Sequence, residues 1–406
     1  METKGMTQST DRKKYLFAFL TVMAIFSMGQ IAGSIDAAIA LIGQNFGLSS
    51  SMTMYVSSVA ALASVIFGLV VGLIAGKKVS YKAVACFAGV CVLVGGLVPF
   101  FVKNYAVLLV FRAVYGIGYG AMMSLQNTFA SLTLPKEKQA SALGIGMFIG
   151  YGTNCILQFI GGILAEKGWN FVFLNNLLLL IPFVILLICC PNIPNNDSVK
   201  QEAEKKGRHA YPAVIFVMCI VMALIGLLIS PLLIGCSFLS ANINPSTTIA
   251  GIVAVCFSLG CMVGGLVYPV ISKKLGRYCF TCFLLIAAIG AAGSAFANAI
   301  PILCITIFLG GMGFSTTQSG AMMVTGASVA KSSVAMASSM IMACFNLGVF
   351  LCSPFQSLIG SIPGSDALYA PLYIGAVIFV IGAVFFAVYN PFQRKRYMGK
   401  KLSKLS

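Results

Sequence analysis

Two ionisable side chains interrupt the apolar runs of this 406-residue chain: Asp36, near the end of the first run, and Arg112, inside the fourth. Holding a charge at the centre of a hydrocarbon layer costs about 2.5 to 3.5 kcal/mol on insertion scales, so each asks for a reason. An arginine keeps its proton and presents a planar fork of donors, which suits a carboxylate or a similar anion. A carboxylate caught between burial and a neighbouring cation is poised to exchange a proton as a solute comes and goes. Two readings stay open here. The pair engages an anion and a proton, or the two groups neutralise each other and bond backbone carbonyls to hold a bundle together. For Asp36 a wet position at headgroup level is a further possibility.

Uncharged polar residues in the same runs offer the remaining specificity: Gln30, Gln126, Asn127, Asn154, Gln158, Asn175, Asn176, Gln318, Asn346 and Gln356. Some must bond across helices merely to hold them together. Among these, Asn154 and Gln158, one helical turn apart in the first half, and Gln318 and Asn346 in the second are singled out. Tyr115, Tyr119 and Tyr151 are possible cavity rings. No catalytic cluster emerges: the single histidine, His209, lies in a charged segment, and the chain has no HExxH, no paired acids within a run and no GxxxxGK[ST]. Enzyme chemistry and coupling to ATP are therefore not expected. The 14 cysteines fall mostly inside apolar runs and read as small hydrophobes rather than metal ligands. Neither metal nor cofactor is expected.

The elements that would position these residues follow from composition. With 59% hydrophobic and 9% charged residues and a mean hydropathy of +0.98, the chain is far too apolar for water alone. A helix crossing the bilayer core uses about 20 residues. Apolar runs fall at 15–38, 52–76, 82–102, 105–130, 140–165 and 169–190, then at 213–239, 246–271, 278–298, 301–326, 333–360 and 368–389. Strand-like alternation, which a membrane barrel would need, is absent. The expected fold is all-α and integral to the membrane, with twelve transmembrane helices in two pseudo-symmetric six-helix bundles. A tail (1–14), a first bundle (15–190), a polar linker (191–212), a second bundle (213–390) and a basic tail (391–406) follow in order. The net charge of +17 sits in short clusters between runs, which argues for topology signals and against a nucleic-acid surface. All but Lys103, Lys167 and Arg112 of the 26 Lys and Arg residues fall on one side. Both termini are thus expected in the cytoplasm, in a multi-pass protein of the cell membrane.

The two halves repeat. Span four reads Arg112-Ala-Val-Tyr-Gly116-Ile-Gly118-Tyr-Gly120, and span ten reads Ile307-Phe-Leu-Gly-Gly311-Met-Gly313-Phe-Ser315. Short basic turns follow spans two and eight, Gly76-Lys77-Lys78 and Ser272-Lys273-Lys274. Gly116, Gly118 and Gly120 are read as a helix-packing motif. In the order of these features along nearly its whole length, the sequence resembles the major facilitator superfamily. The R-x-x-x-G-x-G-x-G run at Arg112 carries the resemblance most specifically, with Pro135-Lys-Glu-Lys138, Gly161-Gly162 and Gly168-Trp169 in support. Two patterns depart from it. The family's G-x-x-x-D-R-x-G-R-R loop keeps Gly72, but Gly76 stands in place of its aspartate. The G-P-x-x-G-G of drug antiporters is replaced by Leu157-Gln158-Phe-Ile-Gly161-Gly162. The resemblance implies that spans one, four, seven and ten surround a central cavity about which the bundles rock, with Arg112 and Asp36 facing solute, Gln158 contacting it from the missing proline's position and Asn154 from one turn before, and Gln318 and Asn346 as contacts from the second half. It points to a secondary carrier, acting as a monomer in the lipid bilayer, for a small organic anion or amphipathic metabolite. The alternatives are a proton-coupled exporter of hydrophobic compounds and a sensor that keeps the transporter body but does not cycle.

Overall fold

The computed structural model describes residues 2–76, 79–191, 213–329 and 334–388. The linker and basic tail expected at 191–212 and 391–406 lie almost wholly outside them. In the first half the helices are α1 (Glu2–Gly29), α2 (Ile39–Phe46), α3 (Ser50–Ile74), α4 (Tyr81–Leu97), α5 (Tyr105–Thr133), α6 (Lys136–Ala165) and α7 (Leu180–Cys189). In the second they are α8 (Ala213–Leu233), α9 (Cys236–Ala241), α10 (Thr247–Leu275), α11 (Cys279–Ala295), α12 (Ile300–Ser328), α13 (Val334–Gly360) and α14 (Ala370–Val388). Ten described segments are long and apolar enough to cross a membrane; α11 is shorter, and α1 with α2 forms a broken first span. Side-chain caps set several starts. Ser49 accepts from the Met52 amide, Ser80 from Ala83, Asn104 from Ala106 and Val107, and Ser246 from Ile249. Large apolar side chains such as Ile188, Phe296 and Val388 face outward, as a lipid-solvated surface requires.

Small residues let the helices approach. A Cβ at Gly116 would come 2.2 Å from the Ala60 carbonyl oxygen of α3, one at Gly118 2.4 Å from that of Ala88 on α4, and one at Gly120 2.5 Å from Ser64 Cα. The second half repeats the scheme. Gly311 would meet the Phe257 carbonyl oxygen of α10 at 2.2 Å, and Gly313 the Ala287 nitrogen of α11 at 2.6 Å. Span four thus docks on spans two and three as span ten docks on eight and nine.

Spans one and seven depart from the continuous helices expected at 15–38 and 213–239. The first stops at Gly29, passes through turns, resumes as a 3-10 turn at Asp36–Ala38 and continues as α2. The seventh stops at Leu233 and restarts at Cys236, two residues after Pro231 has withdrawn from the hydrogen-bond ladder. A break exposes carbonyls that lipid cannot satisfy, so it survives only inside protein or beside a cavity. Side chains satisfy the first break: Tyr115 donates to the Ile31 carbonyl at 3.0 Å and Asn175 to that of Ser34 at 2.6 Å. Asn175 and Asn176 are presented by a 3-10 stretch, Trp169–Leu179, which replaces the first part of the α-helix expected for span six.

Candidate functional site

Both breaks open onto one cavity between the halves, with about 420 Å³ of empty space including the part open to solvent. Ala32 and Asp36 line it from the first break, Leu233 and Ile234 from the second. Ser57, Ala60 and Ala61 of α3, Tyr115 and Tyr119 of α5, and Phe345, Asn346 and Val349 of α13 complete the wall. Asp36 is the one charged residue of this lining.

The wet position considered for Asp36 does not hold, because its side chain is fully buried. Its Oδ1 accepts from Ser57 at 3.2 Å, and its Oδ2 has no protein partner. Arg112 is equally buried, with Nε donating to the Val56 carbonyl at 2.9 Å and the guanidinium lying 4.5 Å from the Tyr115 ring centroid. Its Nη1 and Nη2 reach no acceptor at bonding geometry. The two charges feel each other electrostatically, yet neither completes the other's hydrogen bonding, and Arg112 stands behind the cavity wall rather than in it.

Asn154 and Gln158 converge on the same place from α6. A Cβ on Gly33 would lie 2.6 Å from Asp36 Oδ2, 2.8 Å from Gln158 Nε2 and 3.4 Å from Asn154 Nδ2. Ser258 of α10 ties the two amides together across the seam between halves. It accepts from Asn154 Nδ2 at 3.1 Å and donates to Gln158 Oε1 at 2.8 Å. The seam continues outward: Thr247 donates to the Gly162 carbonyl at 2.9 Å and Ser246 to Glu166 at 2.9 Å. Hydrogen bonds from Thr248 and Ser246 hold the exposed Glu166 carboxyl below its ordinary range. Other bonds join the halves elsewhere, Ser58 to Ser353 at 2.8 Å, Tyr119 to Asn346 at 3.4 Å and the Ala40 amide to Ser237 at 3.1 Å. These contacts join the two halves from the cavity toward the face where spans one and seven end.

Of the residues singled out from sequence, Asp36 and Asn346 line the cavity, Asn154 and Gln158 adjoin Asp36, and Arg112 backs it. Gln318 stands apart, its amide turned to the Met342 sulfur at 3.2 Å. Gly33, Ser57 and Ser258 were not foreseen: a small or hydroxyl residue inside an apolar run carries no signal until its neighbours are known. All 14 cysteines are free thiols, including Cys279 and Cys282 in Cys-x-x-Cys spacing on α11, and the described residues contain no cluster of three or more metal-ligating side chains.

Two six-helix bundles around a shared cavity define a polytopic membrane protein of the transporter type. The model of the Major Facilitator Superfamily matches residues 16–234 and again 213–403, once per half, and the chain belongs to that family. Among curated relatives it is 27% identical over 190 residues to the uncharacterized MFS-type transporter YfiU of Bacillus subtilis (strain 168), covering 44% of this chain and 34% of that protein. It is 26% identical over 220 residues to the multidrug efflux pump SdrM of Staphylococcus aureus (strain N315), covering 53% and 48%. The matches thus span about a third to a half of these relatives' lengths. Among solved structures it resembles the nucleoside transporter NupG (TM-score 0.72, 14% identity, 92% of this chain and 99% of that one). It also resembles the xylose transporter XylE from E. coli in a partially occluded inward-open conformation (TM-score 0.69, 14% identity, 93% and 98%). At that identity the likeness speaks for the fold alone.

Proposed function

We propose that this protein is a proton-coupled secondary carrier that exports amphipathic, largely hydrophobic solutes by alternating access, with Asp36 as its coupling carboxylate. One observation carries the reading: the cavity is walled by aliphatic and aromatic side chains, and its single charge is a carboxylate with an unshared oxygen. Such a site favours a lipophilic cation, and bound cation and bound proton would compete for Asp36. Tyr115, Tyr119 and Phe345 supply ring surface for the apolar part. The bonded face would be the outer gate, the termini cytoplasmic and the working unit a monomer. The partial similarity to a multidrug efflux pump supports the same class.

A second reading, uptake or exchange of a small organic anion, draws on Arg112, whose two terminal nitrogens have no acceptor. Purified protein in proteoliposomes separates the two. With an imposed pH gradient, movement of tetraphenylphosphonium that Asp36→Asn abolishes supports the exporter. Movement of benzoate that Arg112→Lys abolishes supports the anion carrier. Binding of either probe without counterflow would make the protein a sensor and overturn both.

A further inference from the structure

Besides the two terminal nitrogens of Arg112, three buried polar atoms near the cavity lack protein partners: Asp36 Oδ2, Gln158 Nε2 and Asn154 Oδ1. Their side chains are fully or almost fully buried, so each atom calls for a hydrogen-bond partner that the protein does not supply. The first two both lie against buried Gly33, on the side where a side chain would project. A methyl built there would come 2.6 Å from the carboxylate oxygen and 2.8 Å from the amide nitrogen. Gly33 has no positive φ that would demand glycine. What the site uses is the missing side chain, because a Cβ there would collide with both the acceptor and the donor and push them apart.

The orientation of that amide is set from the other half. Ser258 donates to Gln158 Oε1, which leaves Nε2 pointed at Gly33, and in turn accepts from Asn154, so both amides are held by one hydroxyl on α10. A bare ammonium would satisfy Asp36 but confront the Gln158 donor. A carbonyl or carboxylate oxygen would satisfy Gln158 but confront Asp36. A group that both donates and accepts satisfies the two together.

We propose that Asp36 Oδ2 and Gln158 Nε2 form a notch over Gly33 that binds a hydroxyl group, with Ser258 as the residue that positions the amide. The hydroxyl belongs to a solute alcohol or to a bridging water. The notch adjoins the cavity already described, with which it shares Asp36, and the proposal rests on the carrier reading for its place in a transport cycle. Because Ser258 lies across the seam, separating the halves releases Gln158 and dismantles the notch, so hydroxyl recognition is confined to the state closed at this seam.

High-resolution cryo-EM of the full-length protein in lipid nanodiscs, with and without 1,2-propanediol, tests it without reference to transport. The wild type is expected to show density within hydrogen-bond distance of both atoms. A compact peak unchanged by the diol identifies water, and density that lengthens into the cavity with the diol identifies a solute hydroxyl. Gly33→Ala should abolish the peak. Ser258→Ala, which removes no packing volume to speak of, should swing Gln158 off Gly33 and lose the peak, and Ser258→Thr should restore it. Direct contact of Gln158 with Asp36 in the wild type, or a peak that persists in both alanine variants, would overturn the notch. A peak found in a protein that moves no solute would instead overturn only the carrier reading.

Discussion

The two halves share a packing scheme and differ in what they bury. Gly116 in one and Gly311 in the other would each bring a Cβ within 2.2 Å of a carbonyl on the second helix of their bundle. At the position where the first repeat carries Arg112, the second carries Ile307, and both side chains are fully buried. Charged residues at the described positions of the second half, Lys273, Lys274, Arg277 and Asp366, all lie at or beyond helix ends. Helix approach through glycine is therefore the property of the repeat. Among the described residues, buried charge belongs to the first half: Asp36 at the broken first span and Arg112 on the continuous α5. The duplicated framework serves both halves, while the buried charges of the described residues lie on the first-half side of the cavity.

The sharpest way to break this contrast is at the paired repeat positions. Removing one of two buried opposite charges leaves the other uncompensated, at a cost of about 3 to 5 kcal/mol. Arg112→Leu should accordingly lower the unfolding midpoint of purified protein drastically or abolish folded yield, and adding Asp36→Asn should recover part of the loss. Ile307→Val, at the equivalent place, should cost only about 0.5 to 1.5 kcal/mol. Similar losses at both sites would show that Arg112 acts as filler. The shared scheme predicts symmetry in turn: Gly116→Ala and Gly311→Ala should each cost about 1 to 3 kcal/mol by forcing helices apart. Unequal effects in thermal melts would mean that the glycine crossings are not equivalent.

The framework was legible because its signals are local. Runs of apolar residues give the spans, and the recurrence of Gly116-Ile-Gly118 as Gly311-Met-Gly313 gives the repeat. The site was legible where a residue is costly in lipid, which singled out Asp36 and Arg112. Their geometry was not, because it depends on contacts between distant segments. The break after Gly29 leaves no Pro in span one to announce it, and its carbonyls are satisfied by Tyr115 and Asn175, both remote in sequence. Gln318 shows the complementary limit: an amide in a span stands out in the sequence, but that its amide turns to the Met342 sulfur appears only in the fold.

The smallest effect expected lies at the seam between the halves, where the contrast turns into a contact. Glu166 ends span five of the first half and accepts from Ser246, which caps span eight of the second. Its carboxyl titrates below the ordinary 4.5 because Thr248 and Ser246 bond the ionised form. A lowered pKa means that the ionised, bonded state stabilises this face above about pH 4.5 and that the contribution fades as pH falls through the lowered value. The group is exposed, so solvent screens the interaction and only a local effect is expected. Hydrogen–deuterium exchange, corrected for intrinsic rates, reads it at the start of α10. Near neutrality Glu166→Ala should exchange faster there than the wild type, and the difference should vanish well below pH 4.5, whereas Ser58→Ala, which cuts a seam bond between two hydroxyls, should show no such pH dependence. A difference that persists in acid would mean that Glu166 supports the seam through packing of its methylenes, and the charge of the first half would then have no part in closing this face.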